Sequence, residues 1–134
     1  MERIRTHHIR AEVITQFTLV DDLLTHELAI EALGGRRQKP WKRKKFQRFI
    51  EELVESRASL RQKLGLYKTF KHVPKDIYES ILGLNAVRNA FAHKFYLDDT
   101  ARPAKYRGQK ILELSVFKRF LGDQQRVSDF ILNL

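Results

Sequence analysis

The sequence predicts an all-α fold, a single domain over residues 1–134 built as a bundle of four or five helices. The chain has 134 residues, with only six glycines and three prolines to interrupt helices. Apolar side chains recur at three- and four-residue intervals over long segments, which places them on one face of a helix. A chain of this length can also bury a substantial core. These observations together favour a helical bundle joined by polar loops.

The first two helices are expected to be long. One runs from about Glu2 to Leu33 and ends at Gly34-Gly35, and the second runs from about Trp41 to Leu64 with Gly65 as its terminator. Their apolar positions are Ile14, Phe17, Val20 or Asp21, Leu24 and Leu28 in the first helix and Phe46, Phe49, Ile50, Leu53, Val54, Leu60 and Leu64 in the second. Each pattern predicts a helix that buries one face.

The third helix is expected after a short connector, Lys68 to Val73. It begins at Pro74, which suits a first helical turn because no N–H partner is needed there, and it runs to about Phe95. The polar stretch from Asp98 to Gly108 then predicts a loop.

The C-terminal quarter is less regular. Residues Lys110 to Leu121 are interpreted as a helix, although the alternation of apolar and polar residues in Ile111–Val116 is also compatible with a strand at its start. Gly122 is expected to end this helix, and Asp123 to Leu132 to form a short last one.

The positive charge is concentrated in one stretch of the chain. The net charge is +10, and residues 36–71 carry 13 Lys and Arg against three Asp and Glu. Cations that neutralise phosphates release counterions, and an aromatic ring can stack on a base, so this inter-helix loop predicts contact with a polyanion. The residues expected to bind nucleic acid are Arg36, Arg37, Lys39, Trp41, Lys42, Arg43, Lys44 and Lys45. The alternative is a loop whose charges are simply solvated.

Composition excludes several classes of protein. There is no cysteine, which rules out disulfides, thiol nucleophiles and thiolate metal sites. The charged start contains no signal peptide and no apolar run approaches the roughly 18 residues of a membrane span, so we expect a cytoplasmic protein without membrane contact. The pairs Asp22 with His26 and Glu27 with Glu31 lack a third ligand. We therefore expect no metal and no cofactor.

The segment Val87–His93 is the most informative part of the third helix. Each helical residue turns by about 100°, which places Arg88 on the apolar face of that helix, at nearly the same angle around the axis as Ile77 and Ile81. A guanidinium stays charged, and burying it unpaired costs several kcal/mol or more. Arg88 is therefore expected to meet a carboxylate, a partner subunit or an anion.

One interpretation of this segment is purely structural. Arg88 would form a salt bridge to Asp21, Asp22 or Glu27. His93 would interact with the last carbonyls of the helix, where a histidine is favourable.

A second interpretation comes from a resemblance. The string Arg88-Asn89-x-x-x-His93, late in a helix of a small α-bundle, resembles the signature of the HEPN superfamily, in which an Arg is followed after four to six residues by a His. The wider segment Leu84–His93 is also similar to the mannitol-operon repressor branch of such bundles. The resemblance implies a HEPN-like bundle and, for catalytic members, a metal-independent endoribonuclease. In such an enzyme the ribose 2′-hydroxyl attacks the adjacent phosphate and leaves a cyclic phosphate and a free 5′-hydroxyl.

The resemblance assigns a role to each residue of the motif. His93 is the candidate acid and base, because imidazole exchanges protons near neutral pH. Arg88 would clamp the scissile phosphate, since a guanidinium fork matches the charge that develops on its oxygens. Asn89 lies four residues before His93, on the same helix face, and would orient the imidazole or donate to the phosphate.

A homodimer is expected on this interpretation. Arg88 and His93 are five positions apart, which turns a helix by about 140° and advances it by roughly 7.5 Å. The two side chains of one copy are therefore poorly placed to contact the same phosphate. Two copies related by a two-fold axis would line one groove with both motifs, and the resemblance implies such an interface site. It also implies RNA as substrate, a toxin or defence role, and restraint by an antitoxin or larger protein complex. The rival function is a non-catalytic helical regulator or a nucleic-acid-binding accessory subunit.

Overall fold

The computed structural model describes residues 6–93 and 104–132, with side chains described for 8–91 and 104–132. The elements are α1 (Thr6–Ala32), 3-10 turns at Arg36–Gln38 and Pro40–Lys42, α2 (Lys44–Glu55), α3 (Leu60–Phe70), α4 (Lys75–His93), β1 (Lys105–Tyr106), β2 (Gln109–Lys110) and α5 (Leu114–Leu132). The expected all-α helical bundle is confirmed. Within these ranges, no helix combines the length and the apolar character needed to cross a membrane. The predicted helical residues 2–5 and 94–95 and the predicted loop residues 98–103 lie outside the described residues.

Helix α1 is the centre of the bundle and packs against each of the other four α-helices described. Helix α4 lies antiparallel to α1, because Arg10 contacts Phe91 near one end of the pair and Phe17 contacts Arg88 further along α1. The start of α1 and the end of α4 are thus neighbours.

Helix α3 runs beside only the C-terminal half of α1. Near its start Lys63 donates to Asp21 at 2.9 Å, and just after its end Lys71 pairs with Glu31 at 3.6 Å. Lys63 is buried, so the ion pair with Asp21 offsets the cost of removing its charge from water. The N-terminal half of α1 therefore has no cover from α3.

The apolar faces of α1, α3, α4 and α5 meet in one continuous core. Its most deeply buried members include Ile9, Val13, Val20, Leu24, Leu28, Leu64, Ile81, Leu84, Val87, Phe120 and Val127. A smaller cluster of Ala29, Ile30 and Phe46 packs α2 onto the C-terminal end of α1. Val20, Leu24 and Leu28 fit the expected apolar face of the first helix, whereas Ile14, also expected there, is 52% exposed.

The predicted second helix is in fact two helices, so this prediction was wrong. α2 ends at Glu55, and Arg57 adopts a left-handed backbone with a φ of 55°. Ser59 then begins α3 with a capping box: its hydroxyl accepts from the N–H of Gln62, and the Gln62 side chain accepts from the N–H of Ser59. Gly65, the expected terminator, lies inside α3 on its exposed side.

The loop predicted from Asp98 to Gly108 contains the first strand and the turn of a β-hairpin. Strands β1 and β2 pair antiparallel, with Tyr106 opposite Gln109. Arg107 and Gly108 form the two-residue turn with φ values of 52° and 82°, the positive pair that a tight hairpin turn requires. The possible strand was therefore placed too late, and helix α5 begins only at Leu114.

The predicted break at Gly122 is also wrong, because α5 is continuous to Leu132. Gly122 is exposed, whereas Phe120, Asp123 and Gln124 beside it are buried. Burial of the apolar side chains of α5, such as Phe120 and Val127, outweighs the roughly 1 kcal/mol that a glycine costs within a helix.

Tyr106 holds the hairpin against α4 and α5. Its ring packs over Gly83, where an added Cβ would lie 2.6 Å from the Tyr106 Cε1 atom, so α4 needs a glycine at that position. The Tyr106 hydroxyl donates to buried Asp123 at 2.7 Å. Burial, together with this hydrogen bond and the negative charge of Asp123, raises the pKa of Tyr106 to about 12.

Candidate functional site

Arg88 is exposed, although it lies within the apolar arc of α4. Ile77 and Ile81, on the same bearing of α4, are buried. The difference arises because α4 reaches beyond α3: Arg88 lies beside Phe17, while the first described ion pair between α3 and α1 is at Asp21. The guanidinium therefore stands at the surface and needs no buried counter-ion.

The salt bridges expected on the structural interpretation are not formed. Asp21 is bonded to Lys63, and Glu27 is bonded to Arg36. Among the described residues, Arg88 has no carboxylate within ion-pair distance, and its one hydrogen bond is a long contact of 3.5 Å to the Asn89 Oδ1 atom. Its guanidinium carbon lies 4.9 Å from the centre of the Phe17 ring. Among the described residues, the charge of Arg88 therefore rests on an aromatic face rather than on a carboxylate.

A second guanidinium stands beside the first. The guanidinium carbon of Arg10 lies 6.0 Å from the centre of the Phe91 ring, and its Nε atom is buried without a hydrogen-bond partner in the described part of the chain. Arg10 and Arg88 both line a surface cavity of about 320 Å³, here called the Arg10–Arg88 cavity. Its lining residues are Arg10, Ile14, Phe17, Thr18, Arg88 and Phe91.

The sequence reasoning missed Arg10. Its signal was available, because Arg10, Ile14 and Phe17 recur at four- and three-residue intervals and so share one face of α1. What could not be read from the sequence was that this face meets the end of α4. The antiparallel packing of the two helices brings the two arginines to one place.

Asn89 is exposed next to Arg88. The helical backbone of α4 continues to His93, so the motif lies on one unbroken helix, but the His93 side chain lies outside the described residues. The convergence of His93 with Arg88, and the two-fold arrangement of two copies, stay predictions.

The segment Arg36–Lys45, here called the basic loop, forms two successive 3-10 turns and the first turn of α2. All eight residues predicted to bind nucleic acid are exposed there, and Trp41 keeps 44% of its surface accessible. Pro40 is buried and anchors the loop, and Arg43 donates to the backbone oxygen and the side chain of Gln38 at 3.4 and 3.3 Å. The backbone of the basic loop is therefore held in place, and its cations lie on the surface.

Arg36 differs from the other cations of the basic loop. It is bonded to Glu27, a buried residue of α1. Burial and the charges of Glu27 and Glu31 raise the pKa of the neighbouring Tyr67, which keeps that hydroxyl neutral over the physiological range. Arg36 thus joins the basic loop to the body of the bundle.

The basic loop and the Arg10–Arg88 cavity lie at opposite ends of α1. Arg36 is bonded to Glu27 and Arg88 lies on Phe17. Ten residues of helix separate these two contact points, a rise of about 15 Å. The structure therefore does not bring the predicted nucleic-acid-binding residues and Arg88 into one cluster.

In the described ranges, no three His, Asp or Glu side chains gather closely enough to hold a metal ion. His26, considered with Asp22 as a metal pair, packs edge-on against Phe46 with the ring centres 5.1 Å apart. Comparison of the chain with protein-family models, with curated proteins and with solved structures finds no match.

Proposed function

We propose that the protein is a metal-independent endoribonuclease of the HEPN type, acting on RNA as a toxin or defence effector. The observation that carries the proposal is the environment of Arg88. This guanidinium is exposed, has no carboxylate partner among the described residues and lines a cavity with a second guanidinium. Such an arrangement favours an anion such as a phosphate, which accepts charge-assisted hydrogen bonds from a guanidinium fork.

The chemistry that we propose is a transesterification within the RNA strand. The ribose 2′-oxygen forms a bond to the adjacent phosphorus, and the bond from phosphorus to the 5′-oxygen of the next nucleotide breaks. The 2′-hydroxyl proton leaves and a proton is delivered to the departing 5′-oxygen, the work proposed for His93. Arg88 stabilises charge on the non-bridging oxygens, and Asn89 orients His93 or donates to the phosphate.

A homodimer would supply both proton transfers. One imidazole from each copy could act as base and acid, with the two α4 ends facing each other across a two-fold axis. The Arg10–Arg88 cavity, which has no carboxylate among its described lining residues, supports this place for the contact. An active enzyme of this kind needs restraint, which we assign to an antitoxin or larger protein complex in the cytoplasm.

The basic loop has a separate task in this proposal. Its cations hold RNA at a distance from the scissile bond and steer the polyanion to the protein. A second candidate function rests on the same observation. Because the basic loop lies about 15 Å along α1 from Arg88, it can bind nucleic acid without any cleavage, as a regulator or accessory subunit would.

Cleavage of single-stranded RNA in EDTA tests the proposal. The wild-type protein should leave 5′-hydroxyl and 2′,3′-cyclic phosphate ends, and His93→Ala should lower the rate by at least about 100-fold, the scale of general acid–base catalysis. His72→Ala is the matched control, because His72 is an exposed histidine beyond the opposite end of α4. If the wild-type dimer leaves RNA intact, the nuclease proposal is wrong and the binding function takes its place. If the two variants cleave RNA at equal rates, His93 is not the catalytic residue.

A further inference from the structure

We propose that the Arg10–Arg88 cavity is a binding site for one nucleotide unit of single-stranded RNA, with Arg10 holding a phosphate and the apolar wall holding a base. The proposal rests on the proposed function only in taking RNA as the ligand. It assigns a role to Arg10, which lies on α1 outside the Arg88–His93 motif.

The charge of the cavity favours an anion. Its described lining residues include two guanidiniums and no Asp or Glu. Two like charges that line one small cavity repel each other, and an anion bound there is attracted to both. The buried Arg10 Nε atom adds a donor that has no partner in the described part of the chain.

The two guanidiniums are also held in place before any ligand binds. Arg10 lies over the Phe91 ring and Arg88 over the Phe17 ring. Packing on a ring restricts a long side chain, so less conformational entropy is lost when the phosphate binds. The planar faces of the guanidiniums can in addition stack on a base.

The rest of the lining is apolar and fits a base rather than a free ion. Ile14 leaves 52% of its surface exposed at the cavity, beside the rings of Phe17 and Phe91. The volume of about 320 Å³ is near the lower end of the range for small-molecule sites, about 300 to 1,000 Å³. One nucleotide unit suits a space of this size, whereas a duplex does not.

Two other surface cavities of the described residues lack this combination. The groove between α2 and α3 is lined by Leu53, Ser56, Ala58, Gln62, Gly65 and Leu66 and contains no cation. The shallow cavity beside the hairpin contains Arg107, but Glu79 lines it too and pairs with Arg107 at 3.5 Å. Over its described lining, the Arg10–Arg88 cavity combines two cations and an apolar wall without a carboxylate.

Binding measurements with three small probes test the site without cleavage. Isotope-labelled protein is titrated with adenosine 5′-monophosphate, inorganic phosphate and adenosine, and the affinity is read from NMR shifts. We expect the monophosphate to bind most tightly. Arg10→Gln should weaken the monophosphate and inorganic phosphate by about tenfold each. Ile14→Ala should weaken the monophosphate by about fivefold and leave inorganic phosphate unchanged.

Two further variants serve as controls. Lys75→Gln removes the same charge from an exposed position at the opposite end of α4, and it should leave all three affinities unchanged. Arg10→Lys keeps the charge but loses the planar fork, so its affinity for phosphate should lie between those of wild type and Arg10→Gln. Thermal unfolding checks that each variant is folded. If Arg10→Gln does not fold, the comparison is made with Arg10→Lys.

The inference is overturned if wild type does not bind the monophosphate, if adenosine binds equally well, or if Arg10→Gln and Lys75→Gln behave alike. Its failure is distinct from that of the nuclease. A 2′-O-methyl oligonucleotide has no attacking hydroxyl, so its loss of affinity in Arg10→Gln supports the site even when no RNA is cleaved. Conversely, cleavage with unchanged monophosphate affinity in Arg10→Gln removes the site and leaves the nuclease intact.

Discussion

The two ends of α1 both carry exposed cations, but they hold them in different ways. At the N-terminal end, Arg10 and Arg88 lie on aromatic rings around one cavity. At the C-terminal end, the basic loop spreads its cations over two 3-10 turns and the start of α2. The first arrangement suits recognition of a single group at short range, and the second suits attraction of an extended polyanion at long range.

The comparison teaches that the number of cations does not identify a site. The basic loop has the higher density of charge, yet Arg36 in it is bonded to Glu27 and serves the fold. The part of the Arg10–Arg88 cavity that the structure describes has two cations and no carboxylate. What matters is whether a cation already has a partner and whether its neighbours leave room for a ligand.

The largest effect should come from removing charge at the basic loop. Changing Lys42, Arg43, Lys44 and Lys45 to Gln should lower the salt dependence of RNA binding by roughly three units of log–log slope, since each single-strand phosphate contact contributes about 0.7. The affinity at low salt should fall by about 100-fold. Binding of a labelled oligonucleotide over a series of salt concentrations measures both.

A second quadruple variant with the same change of net charge is the control. It replaces exposed lysines outside residues 36–71, namely Lys75, Lys105, Lys110 and Lys118. If both quadruple variants lose the same slope, the effect is one of net charge, and the basic loop is only a solvated segment.

A smaller effect should separate Arg36 from its neighbour Arg37. Arg36→Gln leaves the buried carboxylate of Glu27 without its partner and should lower the free energy of unfolding by about 1 to 2 kcal/mol. Arg37 is exposed and has no ion pair among the described residues, so Arg37→Gln should change the free energy of unfolding by less than about 0.5 kcal/mol. Urea denaturation of both variants measures the difference. Equal values would show that Arg36 is solvated like the rest of the basic loop.

The sequence predicted the helix bounds well where apolar side chains recur every three or four residues without interruption. The predicted end of the first helix at Leu33 and start of the third at Pro74 are each one residue from the observed bounds. The prediction failed where a short polar signal competes with a long apolar pattern. The capping box of Ser59 interrupts an apolar pattern that continues on both sides of it. The pattern alone does not show whether the segment forms one continuous helix or two helices.

Gly122 shows the opposite error, in which a local signal is overruled by packing. A glycine in a helix costs about 1 kcal/mol, and burial of Phe120 and its neighbours along α5 provides more than that. Such a balance depends on which helices are in contact, which no single segment of sequence contains.

The sequence named Arg88, Asn89, His93 and the basic loop as candidate sites, and their functional roles stay predictions. The exposure of the basic loop and of Asn89 fits the sequence analysis. Arg88 is exposed, and whether a partner subunit or an anion meets it stays a prediction, because helical spacing gives the direction of a side chain but not what covers it. Arg10 was missed for a related reason, since its meeting with Arg88 requires the antiparallel packing of α1 and α4.

The smallest expected effect concerns stability at the cavity. Arg88→Ala should lower the free energy of unfolding by less than about 1 kcal/mol, because the side chain is exposed and its main described contact is a cation–π interaction with Phe17. Leu84→Ala, four residues earlier on the same helix and fully buried, should cost about 2 to 5 kcal/mol and is the matched control.

The same Arg88→Ala protein should bind inorganic phosphate more weakly, so that affinity and stability change independently. A loss of several kcal/mol would mean that Arg88, like Arg36, holds the fold together. The cations at both ends of α1 would then be structural, and the cavity would no longer be a site whose charges are held for a ligand. A small loss of stability with a clear loss of phosphate affinity is therefore the result that distinguishes a binding cation from a structural one.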